Sequence, residues 1–252
     1  MSQTPLRTLP KALDLTGRRV LVTGAANGIG RACARVLAEL GATLILNDRA
    51  PLDEAAAEAK ALGAAVETLQ YDITKPDFVQ QIIAKGPIYG LAHCAGIIGK
   101  TALHKAESPG ERFHQTMDIN VRVPIDLGWA LIEHMSANGG GAMVMVGSLA
   151  GRTGGTSVAT PVDYSASKGA VHIVIRWLSR NAVGKNVLVN GVAPGPIRTA
   201  MTAGMDFDPK GLPRGRMGEP EEIAWMIAML LTPAAGFVSG AVLDVNGGGY
   251  VG

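Results

Sequence analysis

Cysteine is nearly absent from this sequence of 252 residues, which contains only Cys33 and Cys94. The two cysteines are far apart in the chain and form no CxxC spacing, so neither a disulfide framework nor a zinc site is expected. We therefore expect no metal. A reducing cytoplasm is the simplest location for a protein with this cysteine content.

The sequence also lacks a strong charge excess and long apolar segments. Its formal net charge is +2, and its Lys and Arg residues are scattered, so we expect no nucleic-acid partner. No apolar run approaches the length of a membrane span, which argues against a membrane partner. Residues 1–14 contain no apolar segment typical of a signal peptide, and we expect them to form a flexible tail.

Aromatic residues are rare too, at 4% of the chain, whereas hydrophobic residues make up 47%. Runs rich in β-branched residues alternate with segments of helical spacing. Strands are predicted at 19–23, 43–46, 66–71, 90–94, 142–146, 187–193 and 242–245, and helices at about 29–40, 54–62, 111–134, 164–178 and 220–231. This alternation predicts an α/β fold, a Rossmann-like doubly wound parallel sheet with helices on both faces, formed by one domain at residues 15–252.

A glycine-rich loop lies between the first predicted strand and helix. Its sequence runs from Thr23 to Gly30, and its three glycines allow the backbone to turn sharply and to approach a ligand closely. Free amide groups at the start of a helix suit a pyrophosphate. This pattern therefore predicts a dinucleotide site.

Acidic residues end the next two strands. Asp48 follows the glycines by about twenty residues, where a carboxylate would bind an adenosine ribose and repel a 2′-phosphate, so NAD is favoured over NADP. The neighbouring Arg49 could stack on adenine, pair with a phosphate or be a solvated surface residue. Asp72 could bind adenine or cap the helix that follows Pro76.

Tyr164 and Lys168 are four residues apart in a predicted helix, so both side chains should lie on one face. A phenol ordinarily titrates near pH ~10, and an adjacent cation would lower that pKa. Such a tyrosine can act as a general acid or base. By itself, however, the same spacing is more often a solvated helix face.

The combination of motifs resembles the short-chain dehydrogenase/reductase family from about Leu15 to Gly249. The resemblance rests on Thr23-Gly24 through Gly28-Ile29-Gly30, Ala95-Gly96, Asn120, Ser148, Tyr164 with Lys168, Pro194-Gly195 and residues 216–224. It implies that hydride passes between a substrate carbon and the nicotinamide of a bound cofactor. It also implies catalytic roles for Asn120, Ser148, Tyr164 and Lys168.

The resemblance assigns each role to a position of this chain. Tyr164 would exchange a proton with the substrate oxygen, and Ser148 would hydrogen-bond that oxygen. Lys168 would bind the nicotinamide ribose and lower the tyrosine pKa, while Asn120 would hold a water that links the lysine to solvent. Ile197 and Thr199 would orient the carboxamide. The expected cofactor-binding residues are Gly24, Asn27, Gly28, Ile29, Gly30, Asp48, Arg49, Asp72, Ile73, Ala95, Gly96, Tyr164, Lys168, Pro194, Gly195, Ile197 and Thr199.

The chain departs from the family pattern at three places, one of which is a glycine loop without the basic residue often found in NADP-using members, in agreement with Asp48. His93-Cys94 replaces the usual Asn-Asn, and His93 is either a second titrating group or, as we favour, a structural residue. The interval between Ser148 and Tyr164 is a few residues longer than usual, so residues 152–163 are predicted to form a substrate loop. Residues 197–215 have no clear periodicity and are predicted to form a lid, made apolar by Met201, Met205, Phe207 and Leu212.

The leading interpretation is an NAD-dependent oxidoreductase that interconverts a secondary alcohol and a ketone. The alternatives are an NADPH-dependent 3-oxoacyl-thioester reductase, for which Arg49 is the obvious phosphate ligand, and a non-catalytic dinucleotide-binding protein. The helix after Tyr164 has a second apolar stripe, typical of a homo-oligomer (tetramer or dimer), although a neighbouring helix of the same chain could cover it.

Overall fold

Seven parallel strands form one sheet in the computed structural model, which describes residues 9–99, 108–155, 160–204 and 208–252. The strands are β1 Arg19–Thr23, β2 Thr43–Asp48, β3 Val66–Gln70, β4 Gly90–His93, β5 Gly141–Val146, β6 Val187–Pro194 and β7 Val242–Val245. Their spatial order is β3-β2-β1-β4-β5-β6-β7. The predicted doubly wound parallel sheet is therefore confirmed.

Helices connect the strands and cover the sheet. They are α1 Gly28–Glu39, α2 Asp53–Ala61, α3 Phe78–Ile83, α4 Pro109–Met117, α5 Val123–Ala137, α6 Ala150–Thr153, α7 Val162–Asn181 and α8 Pro220–Leu231. The single helix predicted at 111–134 is instead α4, a π-helical turn at Asp118–Arg122, and α5. None of the helices in the described ranges has both the length and the apolar character needed to cross a membrane.

Both faces of the sheet bury apolar side chains, because successive residues of a strand point to opposite faces. Val20 and Val22 of β1 belong to a cluster with α1, α2 and α8, whereas Leu21 belongs to a second cluster with α3, α5 and α7. Val144 and Met143 of β5 divide between the two clusters in the same way. Burial on both faces explains why the strands contain nearly continuous hydrophobic runs.

The winding of the chain reverses between β1 and β4. Thr23 at the end of β1 pairs in register with His93 at the end of β4. A crevice opens at the carboxyl ends of the strands at such a switch point. The glycine-rich loop after β1 and Ala95-Gly96 after β4 therefore border the same crevice.

Three predicted segments either differ from the structure or lie partly outside the described residues. Residues 9–14 of the predicted tail are anchored, since Leu9 and Leu13 pack against the core and the Ala12 carbonyl accepts a 2.8 Å hydrogen bond from Ala234; residues 1–8 lie outside the described ranges. The predicted substrate loop 152–163 begins within α6 and ends within α7, and its residues 156–159 are not described. In the predicted lid, residues 209–211 form a short 3₁₀ turn, while Met205 and Phe207 lie outside the described ranges.

Candidate active site

The glycine-rich loop leaves no room for side chains where it meets β4. Gly24 has φ +68°, and a Cβ on it would lie 2.8 Å from the backbone nitrogen of Ala95. A Cβ on Gly30 would overlap the carbonyl oxygen of Gly24. Asn27 caps α1 with its backbone, and its side chain makes no capping hydrogen bond. The loop is thus a bare backbone cradle at a helix N-terminus, with Ile29 packed against the core behind it.

The carboxylate of Asp48 joins the tip of β2 to this loop. Its Oδ2 accepts a 3.0 Å hydrogen bond from the Ala26 amide, and its Oδ1 accepts one of 2.9 Å from Ala50. The structure therefore places Asp48 beside the predicted pyrophosphate cradle. Arg49, the next residue, has an exposed side chain.

Asp72 stabilises a turn and does not cap the following helix. Its Oδ1 accepts hydrogen bonds from the amide and the hydroxyl of Thr74, at 2.9 and 2.8 Å. Burial opposes ionisation, but these hydrogen bonds and the charge of Arg49 lower the pKa of Asp72 overall. The helix α3 begins at Phe78 with Asp77 as its N-cap, so the capping alternative is wrong. Ile73 packs against the core.

Tyr164, Lys168 and Ser148 converge where β5 ends. Tyr164 and Lys168 lie one turn apart in α7, and the Ser148 hydroxyl hydrogen-bonds the phenol of Tyr164. The ammonium of Lys168 is buried, donates a 2.8 Å hydrogen bond to the Val146 carbonyl and lies 5.9 Å from the centroid of the tyrosine ring. A hydroxyl, a phenol and a cation thus share one volume at the carboxyl edge of the sheet.

The electrostatics of this group differ from the expectation based on spacing alone. Burial raises the pKa of Tyr164, and the hydrogen bond from Ser148 opposes this effect only in part. Burial also lowers the pKa of Lys168 to about 8. In this structure, dehydration of the phenolate therefore outweighs the interactions that favour it, and the pKa of Tyr164 stays above its ordinary value.

Asn120 lies in the π-helical turn and is buried. Its Oδ1 accepts a 2.8 Å hydrogen bond from the Ile97 amide, and its Nδ2 donates to the Ile97 carbonyl at 2.9 Å and to Ser167 Oγ at 3.0 Å. A Cβ on Gly96 would lie 3.3 Å from Asn120 Oδ1 and 3.2 Å from Lys168 Nζ. Asn120 and Lys168 therefore both lie close to Gly96.

The start of the predicted lid lies over the glycine-rich loop. Beyond Pro194 and Gly195 at the end of β6, Ile197 forms a bridge with Gly218. The methyl group of Thr199 would lie 3.2 Å from a Cβ on Gly28. Ile197 and Thr199 are thus close to the cradle that would hold a dinucleotide.

A cavity of about 310 Å³ lies behind the lid, between it and the end of β7. Leu212 contributes an apolar side chain to its lining, and Arg214 and Asp244 contribute charged ones. Neither Ser148 nor Tyr164 is among its lining residues. No group of three or more possible metal ligands occurs in the part of the chain that the structure describes.

His93 has the geometry of a structural residue. Its Nδ1 forms a 2.9 Å hydrogen bond with Thr23 Oγ1 across the switch point. Burial lowers its pKa to about 3, and the charge of Lys168 acts in the same direction. The neighbouring Cys94 is a free thiol, 3.8 Å from the sulfur of the buried Cys33.

Sequence reasoning missed several partners of the catalytic residues, among them the Val146 carbonyl and Ser167. The Val146 carbonyl, which accepts from Lys168, carries no sequence signal because any residue offers one. Ser167, which accepts from Asn120, lies within the Tyr164-to-Lys168 motif, and its hydroxyl at that position was the available signal.

Comparison with known families agrees with this geometry. A family model described as "Enoyl-(Acyl carrier protein) reductase" matches residues 24–249, which include the cradle and all four proposed catalytic residues. The chain belongs to the short-chain dehydrogenase/reductase family. It is therefore related to oxidoreductases throughout the fold described above.

Individual relatives of this short-chain dehydrogenase/reductase differ in substrate and cofactor. Galactitol 2-dehydrogenase (L-tagatose-forming) from Cereibacter sphaeroides is 40% identical, over 93% of this chain and 95% of the relative. A 7α-hydroxysteroid dehydrogenase, solved with NADH and 7-oxo glycochenodeoxycholic acid, has a TM-score of 0.86 and 28% identity, covering 94% and 96% of the two chains. A protein from Agrobacterium tumefaciens, solved with bound NADP, has a TM-score of 0.85 and 29% identity, covering 95% and 98%.

Proposed function

We propose that this protein is an NAD-dependent oxidoreductase that interconverts a secondary alcohol and a ketone. The observation that carries the proposal is the convergence of the Tyr164 phenol, the Ser148 hydroxyl and the Lys168 ammonium at the crevice. A non-catalytic dinucleotide-binding protein would have no need for this set of proton-handling groups. The bare cradle at Gly24 and Gly30 fits a dinucleotide, because any side chain there would collide with the backbone.

The chain's own residues provide the binding groups. The amides at the start of α1 would hold the pyrophosphate, and Asp48 would accept hydrogen bonds from the adenosine ribose. Lys168 would bind the nicotinamide ribose, and the Ile197–Thr199 segment would orient the carboxamide. When bound, oxidised NAD supplies the hydride acceptor and a positive charge.

Tyr164 is the proposed general base for alcohol oxidation. Its phenolate would take the proton of the substrate hydroxyl, while Ser148 donates a hydrogen bond to the substrate oxygen. Because burial raises the pKa of Tyr164 in the protein alone, its ionisation depends on positive charge brought close to it. Lys168 would then pass the proton toward solvent through a water held by Asn120.

The choice of NAD rests on Asp48. Its position beside the cradle supports NAD, because a carboxylate there would repel the 2′-phosphate of NADP. Titrating each cofactor separately while following tryptophan fluorescence tests this choice, with Asp48→Asn as the charge-removing variant. We expect tighter binding of NAD, and a shift toward NADP in the variant. Preferential binding of NADP by the wild type would favour the 3-oxoacyl-thioester reductase alternative.

The proposed substrate class is a small polar secondary alcohol, such as a polyol. The similarity to galactitol 2-dehydrogenase supports this class. A panel of polyol, cyclic, aromatic and hydroxyacyl alcohols, assayed with NAD, would identify the preferred substrate. The highest kcat/KM for a hydroxyacyl thioester would contradict the proposal.

The decisive test of the reaction is a Tyr164→Phe variant. We expect kcat to fall by about 10²-fold or more, because the acid/base group is lost while the ring remains. Tyr89→Phe is the matched control, since the Tyr89 hydroxyl bonds the Leu231 carbonyl away from the crevice. A Tyr164→Phe enzyme that keeps most of its turnover and binds NAD normally would sink the mechanism.

We also propose that the protein is a cytoplasmic homo-oligomer. The rings of Trp129 and Trp177, on α5 and α7, stack with centroids 5.2 Å apart, yet each residue is 46% exposed. Ile173 beside them is 60% exposed, which supports burial against a second copy. Trp177→Glu should lower the mass measured by sedimentation, whereas Leu62→Glu, another exposed apolar position, should not. A wild-type monomer would contradict this proposal.

The two free thiols support a reducing location.

A further inference from the structure

A third functional side chain lies on the face of α7 that carries Tyr164 and Lys168. His172 follows Lys168 by four residues, and residues at this spacing share one face of a helix. His172 is only 3% exposed. The motif on this face is therefore a tyrosine, a lysine and a histidine at successive turns.

The ring of His172 contacts the peptide that precedes the catalytic serine. Its Nε2 accepts a hydrogen bond from the Ser148 amide at 3.4 Å, at the long end of hydrogen-bonding distance. A Cβ on Gly147 would overlap the same ring. Gly147 itself donates a 2.8 Å hydrogen bond to the Val192 carbonyl of β6. The Gly147–Ser148 backbone is thus held between a strand and the imidazole.

Ser148 is held from its hydroxyl side as well. Its Oγ accepts a 3.1 Å hydrogen bond from the Ala150 amide, and the same hydroxyl hydrogen-bonds Tyr164. The direction of the hydroxyl therefore depends on where the Ser148 backbone sits. In the described part of the chain, His172 is one of the groups that hold the backbone at Gly147 and Ser148 by hydrogen bonds.

We propose that His172 is a positioning residue that fixes Ser148 for hydrogen bonding to the substrate oxygen. This inference rests on the proposed function, because it assumes that Ser148 acts in the reaction. By accepting the Ser148 amide, the imidazole couples the serine to the helix that carries Tyr164. Tyr164 and Lys168 present the phenol and the ammonium from one face of α7, and His172 on the same face positions the Ser148 hydroxyl beside them.

The role requires a neutral imidazole with its proton on Nδ1, because only then can Nε2 accept. Burial lowers the pKa of His172 to about 4. The charges of Arg152, Lys168 and Arg176 act in the same direction, and Asp244 opposes them. The acceptor is therefore present throughout the neutral and mildly acidic range.

The test compares His172→Leu and His172→Gln, each in the wild-type and in the Ser148→Ala background. Assays use NAD and the panel alcohol with the highest wild-type rate. We expect His172→Leu to lower kcat by about 10- to 100-fold with unchanged NAD affinity, because a small displacement of a reacting group is costly. Glutamine can present an amide oxygen near the position of Nε2, so His172→Gln should keep kcat within a few-fold of the wild type.

The double variant separates positioning from a general structural role. If His172 acts through Ser148, His172→Leu should cost less than about 2-fold once Ser148 is alanine, since coupled residues are not additive. An equal loss in both backgrounds would overturn the positioning role. If Ser148→Ala alone keeps full activity, the proposed role of the serine fails, and this inference with it.

Two further measurements keep the inference testable if His172→Leu does not fold. Asparagine is too short to reach the Ser148 amide, so His172→Asn should have at least a 10-fold lower kcat than His172→Gln, and equal values would overturn the proposal. The imidazole ¹⁵N chemical shifts of wild-type protein should report a proton on Nδ1 of His172. A proton on Nε2 would overturn the proposal independently of any activity.

Discussion

Lys168 Nζ donates a hydrogen bond to the Val146 carbonyl at 2.8 Å, which joins α7 to the end of β5. The bond holds the ammonium in a buried position, where its pKa falls to about 8. It also places the ammonium near Gly96 and 5.9 Å from the centroid of the tyrosine ring. The lysine is therefore fixed by the sheet before any ligand binds.

Replacing Lys168 by methionine removes the cation while keeping much of the apolar stem. We expect kcat/KM at neutral pH to fall by about 10²-fold, and its rise with pH to move to higher pH, because the hydrogen bond from Ser148 offsets the burial of the phenol only in part. The measurement is a pH profile of kcat/KM with NAD. Lys60→Met, on the exposed face of α2, is the control. An unchanged profile would contradict a role for the ammonium in tyrosine ionisation.

The contact between Asn120 and Ser167 makes a second prediction. Ser167 Oγ donates to the Tyr164 carbonyl three residues earlier and accepts from Asn120. Ser167→Ala leaves an amide proton of Asn120 unpaired in a buried site, which should cost about 1–3 kcal/mol of unfolding free energy. Urea denaturation measures this difference, and we expect turnover to fall as well.

Ser179→Ala is the matched control for that prediction. Its hydroxyl makes the same bond to a carbonyl three residues earlier in α7, that of Arg176. Of these two serines, only Ser167 also accepts a hydrogen bond from Asn120. The comparison therefore controls for the loss of the hydroxyl-to-carbonyl bond within the helix. Equal losses in the two variants would mean that the Asn120 contact contributes nothing.

The fold was predictable because the strands can be recognised from their local sequence. The runs at β1 and β5 are apolar, short and followed by glycine, as expected for strands that are buried on both faces of a sheet. The π-helical turn at Asp118–Arg122 was not predictable, because an inserted residue barely disturbs the apolar spacing of a long helix. The apolar spacing therefore predicted one continuous helix there.

The proximity of the candidate residues was predictable from motifs, whereas their energetics were not. Tyr164, Ser148 and Asn120 were identified by motif, but the raised pKa of Tyr164 depends on how deeply the fold buries the phenol. Burial arises from segments far apart in the chain, so the spacing to Lys168 could not reveal which effect is larger. The contact between His172 and Ser148 likewise joins residues 24 positions apart.

Gly30→Ala should damage both the fold and the cradle. The added Cβ would overlap the Gly24 carbonyl, so the loop must move. We expect a loss of about 1–3 kcal/mol in unfolding free energy, as for overpacking in a rigid site, and at least tenfold weaker NAD binding. Gly211→Ala is the control, because no atom lies within 4 Å of its added Cβ. Unchanged NAD affinity in Gly30→Ala would contradict the assignment of the cradle.

Acid should destabilise the protein through its two buried histidines. The pKa values of His93 and His172 are lowered from 6.5 to about 3 and about 4, so these side chains stay neutral in the folded state while they bind protons in the unfolded chain. Their stabilising contribution is complete above pH 6.5. It is lost as pH falls from 6.5 toward 4, with a slope of about 1.4 kcal/mol per pH unit for each histidine.

His93→Asn tests this acid sensitivity at one residue. Asparagine can present an oxygen near the position of Nδ1 and keep the bond to Thr23, but it does not titrate in this range. Between pH 6 and 4, the unfolding free energy of the variant should therefore fall less steeply than that of the wild type, by about 1.4 kcal/mol per pH unit. If His93→Asn and the wild type lose stability in parallel, the imidazole of His93 is not kept neutral by burial.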